Sequence, residues 1–124
     1  MEIKVPTGDA FDKLSILEIK LKHVKDKSAK NNIENELKYL KEKLEPYWTP
    51  EIKELYQKLK STNQEIWDIE DAIRIKEKNK EFDQEFIEIA RSVYITNDRR
   101  CKEKNMINSI SKSDFFEEKI YDAY

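Results

Sequence analysis

Lysine supplies 20 of the 24 basic residues of this chain, which makes its four arginines, Arg74, Arg91, Arg99 and Arg100, the informative cations. A guanidinium offers a rigid bidentate fork that lysine cannot imitate, so these are positions where a planar anion could be gripped. Three of them fall within ten residues of one another, beside an amphipathic stripe that changes character. Continuing that stripe after Val93 by steps of four, three and four lands on Asn97, Arg100 and Lys104, where apolar residues would be expected. On an adjacent line Arg91, Tyr94 and Asp98 follow the same spacing. Further upstream Asn63, Trp67, Glu70, Arg74 and Glu77 form a second polar line beside an isoleucine seam. If the two helices carrying these lines pack antiparallel, Trp67, Glu70, Arg74, Arg91, Tyr94, Asn97, Asp98 and Arg100 frame a cleft. Arginines and a tyrosine beside an aromatic plate suit an anionic ligand with a ring, such as a phosphosugar, a nucleotide or nucleotide sugar, or a carboxylate. The competing reading of the same residues is an internal ion network in which Glu70 and Asp98 neutralise Arg91 and Arg74.

Other constellations are less specific. Glu65 with Asp68, and Glu85 with Glu88, have the one-turn carboxylate spacing of helical Mg-dependent nucleotide pyrophosphatases, but such pairs are common in a chain with 26 acidic residues. Asp12, Lys13, Glu18 and Lys20 could add polar groups to a site, although pairing on a solvated face is the simpler expectation. Cys101 is the only cysteine and His23 the only histidine, which excludes an internal disulfide, a Cys/His zinc centre and a Ser-His-Asp triad. Neither a metal nor a cofactor is expected.

The elements that must position these residues are helices. With one glycine in 124 residues and 40% charged residues, the composition favours an all-α chain, and 10% aromatics supply enough apolar surface to order it. A first helix is expected over about 9–25, capped near Thr7 or Asp9, with Phe11, Leu14, Leu17, Leu21 and Val24 on its buried face. Ile33, Leu37, Leu40 and Leu44 mark a second over about 30–45, ended by Pro46. Thr49 and Pro50 give the clearest start signal, opening a long third helix over about 50–79 whose Ile52, Leu55, Leu59, Thr62, Ile66, Ile69 and Ile73 form a continuous seam. A fourth is expected over about 83–109, with Asp83 as cap and Phe82 and Ile87 as a hydrophobic staple. The aromatic tail, Phe115, Phe116, Tyr121 and Tyr124, predicts a short helix over about 113–121 packed back on the rest. The whole reads as one antiparallel helical bundle over 1–124 with a long, coiled-coil-like central helix through which a homodimer is expected.

The net charge of −2 comes from interspersed rather than segregated residues, so no basic field for nucleic acid is present. No apolar run approaches the roughly 20 residues that span a bilayer, and Met1 to Pro6 has no signal-peptide apolar core, so a cytoplasmic protein that does not enter the membrane is expected.

Taken together, the segments Val5 to Lys20, Trp67 to Arg74, Ala90 to Arg100, and Glu117-Glu118-Lys119 resemble the family of small proteins catalogued as Domain of Unknown Function 6165. Asp12, Lys13, Glu18, Trp67, Glu70, Asp71, Arg74, Arg91, Tyr94, Asn97, Asp98, Arg100 and Glu118 match its pattern; Ile120 departs from it, standing where a small polar residue is expected. The resemblance implies an association with glycosyltransferases of surface-polysaccharide synthesis, and so a glycosyltransferase partner, but implies no reaction. The function expected from the sequence is an anion-binding or interaction module of sugar metabolism. The alternatives are a structural coiled-coil adaptor, a cofactor-free enzyme resembling helical chorismate mutases, and a Mg-dependent nucleotide pyrophosphatase.

Overall fold

Each helix starts where a local or distant acceptor takes up its free N–H groups. In the computed structural model, which describes residues 1–124, α1 spans Thr7–His23 and follows an extended Pro6 with no capping side chain. Neither Thr7 nor Asp9 acts as the cap. The Thr7 N–H donates instead to Ser113 Oγ (3.1 Å) and the Gly8 N–H to Asn108 Oδ1 (2.5 Å), so the far end of the chain closes this helix. α2, Lys27–Leu44, begins three residues before the expected start at about 30 because the Asp26 carboxylate accepts from the Ala29 N–H at 2.8 Å. A single 3-10 turn, Glu45–Tyr47, carries Pro46. α3, Pro50–Lys78, is capped by Thr49 as its sequence predicts, with Oγ1 accepting from the Ile52 N–H at 3.1 Å. Asp83 caps α4, Gln84–Ile110, by accepting from the Phe86 N–H at 2.9 Å. The predicted staple differs: Phe82 packs edge-on against Phe86 (5.2 Å between centroids), and Ile87 is left exposed.

Both long helices end on a lysine in the left-handed region, Lys80 (φ 56°) and Lys112 (φ 55°), where glycine is the usual choice. The Glu81 N–H reaches the Lys76 carbonyl at 2.9 Å and the Ser113 N–H the Asn108 carbonyl at 2.8 Å, the six-to-one bond of a Schellman ending in each case. The only glycine, Gly8, lies against the α4 backbone, where a Cβ would overlap the Lys104 carbonyl.

α3 and α4 pack side by side, α1 lies against both, and α2 packs on α1. Phe11, Leu14, Leu17, Leu37, Leu44, Ile52, Leu55, Tyr56, Leu59 and Ile107 form the core, and Trp48 meets Phe11 and Tyr56 edge-on at 4.8 and 5.2 Å. The core occupies one end of the molecule. No residue from Gln64 to Ile95 is buried, because α1 stops at His23 and leaves α3 and α4 to continue as a two-helix arm. No helix is long and apolar enough to cross a membrane.

The segment after Ile110 corrects the expectation of a fifth helix: 113–121 is not helical. It does return to the bundle, and the reason it does so extended lies in its backbone partners. Asn105 donates through Nδ2 to the Glu117 carbonyl (2.9 Å) and accepts the Glu117 N–H (3.3 Å), taking up groups that a helix would pair internally.

Candidate functional site

The eight sequence-predicted site residues do not form one cleft; the structure divides them between two grooves and the surface. Trp67, Glu70, Arg74 and Arg100 line a groove of about 290 Å³ where α1 crosses the α3/α4 pair, together with Ile16, Ile19, Lys20, Asn63, Ile66 and Asp71. Asn97 stands beside Arg100, 3.5 Å from its Nη1. Tyr94 and Asp98 belong to a second groove, closed by the returning tail: Tyr124 packs edge-on against Tyr94 at 5.0 Å, and Lys119 lies 3.9 Å from Asp98. Hydrogen bonding to Asp98, with a smaller contribution from burial, raises the Tyr124 hydroxyl pKa above the usual tyrosine value. Arg91 lines neither groove; it is exposed and makes no ion pair.

The inner end of the first groove is a polar network that the sequence only hinted at. Asp12, which sequence spacing placed on a solvated face, is 5% exposed. Its carboxylate receives Arg100 Nε at 2.8 Å and a second, shorter bond from Nη2, so the pair is bidentate. Asn63 Nδ2 donates to the same carboxylate at 2.9 Å and to Ser15 Oγ at 2.7 Å, and Ser15 in turn donates to the Asp12 carbonyl at 2.7 Å. α1, α3 and α4 are thus tied together through one buried carboxylate. Hydrogen bonding to Asp12 holds the Arg100 guanidinium still more firmly in its charged form, against the opposing effect of burial. Arg100 is thus held in an internal ion pair, though with Asp12; of the network expected from Glu70 and Asp98, only the exposed Arg74–Glu70 pair forms, and Asp98 meets Lys119 instead.

A buried cation closes the α1 end. Lys104, 8% exposed, lies 3.0 Å from Asp9 and 3.4 Å from Glu117. Burial disfavours its charge, but Asp9 and the nearby carboxylates outweigh that and raise its pKa. Burial and then hydrogen bonding to Glu117 push the neighbouring Cys101 thiol up to about 11, leaving it a poor nucleophile at neutral pH.

Most of the remaining candidates are drawn into pairs, whereas Glu88 is exposed and has no partner. Glu18 accepts from the Tyr56 hydroxyl and lies 3.3 Å from Lys60, and Lys13 pairs with Glu36 at 3.0 Å on the surface. Glu65 is bound by Arg99 and Asp68 accepts from Gln64, while Glu85 joins Glu81 and Asp83 around Lys76. No group of three or more His, Cys, Asp or Glu side chains is placed to hold a metal ion.

What remains uncommitted in the first groove is its outer part. The Trp67 indole Nε1 is buried and has no hydrogen-bond acceptor. One face of the ring is stacked by His23 (4.7 Å, 19° between planes), a partner that sequence spacing did not indicate. Lys20 is exposed, and Arg74 reaches only Glu70, at 3.4 Å across one exposed helical turn. An unpaired indole donor, two cations held weakly or not at all and an isoleucine floor can accept a small ligand with an anionic or strongly accepting group.

Compared with known proteins, residues 1–124 match the model of a family described as a family of unknown function, DUF6165. No curated protein matches the chain, and no solved structure does.

Proposed function

We propose that the chain, which belongs to the DUF6165 family, binds a small anionic metabolite in the groove between α1, α3 and α4. The observation that carries this reading is the buried Trp67 N–H with no acceptor. Leaving such a donor unpaired costs about 1–3 kcal/mol, and a bound acceptor recovers it. Lys20 and Arg74 at the rim supply the charge; the exposed Arg74–Glu70 pair is worth well under 1 kcal/mol, so an incoming anion takes over the guanidinium at little cost. A groove of about 290 Å³ lies at the small end for ligand sites, which favours a sugar phosphate or small carboxylate over a nucleotide sugar. The link to surface-polysaccharide synthesis, with a glycosyltransferase as partner, rests on the family resemblance and fits a sugar phosphate.

Thermal stability against sugar phosphates, nucleotide sugars, nucleotides and aromatic dicarboxylates, with and without Mg, tests the reading. A ligand at a hundred times its Kd stabilises by about 2.7 kcal/mol, which for a chain of this length raises Tm by about 10 °C. The response should be confined to one class, quench tryptophan fluorescence, and disappear in Trp67→Phe and in Lys20→Ala/Arg74→Ala. No shift from any compound, or a shift that survives these substitutions, overturns it.

A further inference from the structure

The α3/α4 arm carries an apolar seam that nothing in the single chain covers. Of the 32 residues from Gln64 to Ile95, 14 are hydrophobic, a larger share than the chain's 38%, yet none is buried. Ile69, Ile73, Phe86, Ile89 and Val93 are only half-covered, and Ile75, Phe82, Ile87 and Ile95 are exposed. Two helices shield a common seam from one direction each and leave both flanks open. The surface area records the deficit. A monomer of 14.9 kDa should expose about 7,000 Å², whereas this chain exposes 8968 Å². The excess of roughly 2,000 Å², to which the arm and the exposed terminal segments both contribute, is more than the 800 Å² or so that each partner buries in a standard stable interface.

The charge order along the arm selects the occupant. From Glu65 to Asp71 the charges of α3 are all acidic; from Arg74 to Lys80 they are basic apart from Glu77. α4 runs the other way in sequence, acidic from Glu81 to Glu88 and then basic at Arg91. Inside the hairpin these match, Lys76 lying 3.0–3.3 Å from Asp83, Glu81 and Glu85 at the tip and Glu65 meeting Arg99 nearer the base. Asp68, Lys78 and Arg91 have no ion-pair partner in the chain. A second arm running antiparallel sets the basic tip of each α3 against the acidic base of the other, and the acidic tip of each α4 against Arg91. With α3 against α3, a parallel copy would set like against like.

We therefore propose that the arm docks antiparallel on the arm of a second copy, completing a four-helix bundle around a two-fold axis. The base of the arm shares Glu70, Asp71 and Arg74 with the groove of the proposed ligand, whereas Asp68, Lys78 and Arg91 lie outside that groove.

Light scattering and sedimentation equilibrium on the full chain, with charge-swapped variants, test this. The parent should have a mass of about 30 kDa at micromolar concentration, twice the 14.9 kDa of one chain. Lys78→Glu and Asp68→Lys, both exposed, should each raise the dimer Kd at least tenfold, and the two combined in one chain should restore it, because the swapped charges again meet opposites. Circular dichroism checks that each variant keeps its helix content. A parent of 14.9 kDa at 100 µM, or a dimer that both single variants leave unchanged, overturns the proposal; so does a double variant no tighter than the singles.

Discussion

Replacing Arg100 separates a structural role from a ligand-binding one, and the size of the effect follows from its partners. In Arg100→Ala the Asp12 carboxylate, 5% exposed, keeps the 2.9 Å bond from Asn63 and loses both bonds from the guanidinium. Removing one member of a buried pair costs about 3–5 kcal/mol because the other charge is left without compensation. The Arg100 side chain is 28% exposed, so water reaches part of the vacated space and the lower end of that range applies, about 3 kcal/mol. At about 2.1 cal/mol/K per residue the unfolding entropy of 124 residues is about 0.26 kcal/mol/K, which converts the loss to a Tm lower by about 12 °C. The assay is calorimetric or circular-dichroism melting at pH 7. Asp12→Leu/Arg100→Met removes both charges and keeps the volume; Asn63 still donates to Ser15, so most of the loss should be recovered. An Arg100→Ala protein that melts within about 2 °C of the parent would refute the network, as would a double variant no more stable than the single one.

Gly8→Ala should destabilise by about 3 kcal/mol, since its Cβ overlaps the Lys104 carbonyl and α1 must move off α4; melting temperature measures it, and an unchanged Tm would contradict the close approach. Cys101 should be alkylated at pH 8 far more slowly in the folded protein than in denaturant, because its thiol is buried and its pKa is held at about 11. A pKa raised on folding supports the folded state fully below the unfolded value near 8.5 and loses that support as pH rises to about 11, so the decline of stability over this window should flatten in Cys101→Ala. Glu117 shifts the opposite way: hydrogen bonding from Cys101, with help from Lys104, lowers its pKa. Its contribution is present above the ordinary carboxylate range and lost in acid, so Glu117→Gln should flatten the acid side of the stability profile measured by urea titration.

The helices were legible because their signals are local. Thr49-Pro50 and Asp83 cap α3 and α4 as their spacing indicates, and the change from Val93 to Asn97, Arg100 and Lys104 did mark a polar line turned inward, with Lys104 buried and Arg100 half-buried. What spacing could not supply was the third helix over that line. Asp12 looked like one of many solvated carboxylates, and only the crossing of α1 over α3 and α4 brings it to Arg100 and Asn63. The same crossing divides the predicted cleft: α1 covers Arg100, whereas Tyr94 and Asp98 turn toward a tail whose extended path is set by Asn105 and Ser113 rather than by its own aromatic pattern. Arg91, which spacing placed on the cleft, lies exposed outside both grooves with no ion-pair partner in its own chain. Its unpaired charge follows from a general limit of the reading: periodicity shows which face of a helix is apolar, but not whether that face is covered by the same chain or by another. Along α3 the seam is uniform from Ile52 to Ile73, yet Ile52 is 1% exposed while Ile66, Ile69 and Ile73 stay half-open, because α1 runs out at His23. Where such a seam outruns its cover, the order of charges beside it carries the further information, and along α3 that order is complementary to itself reversed.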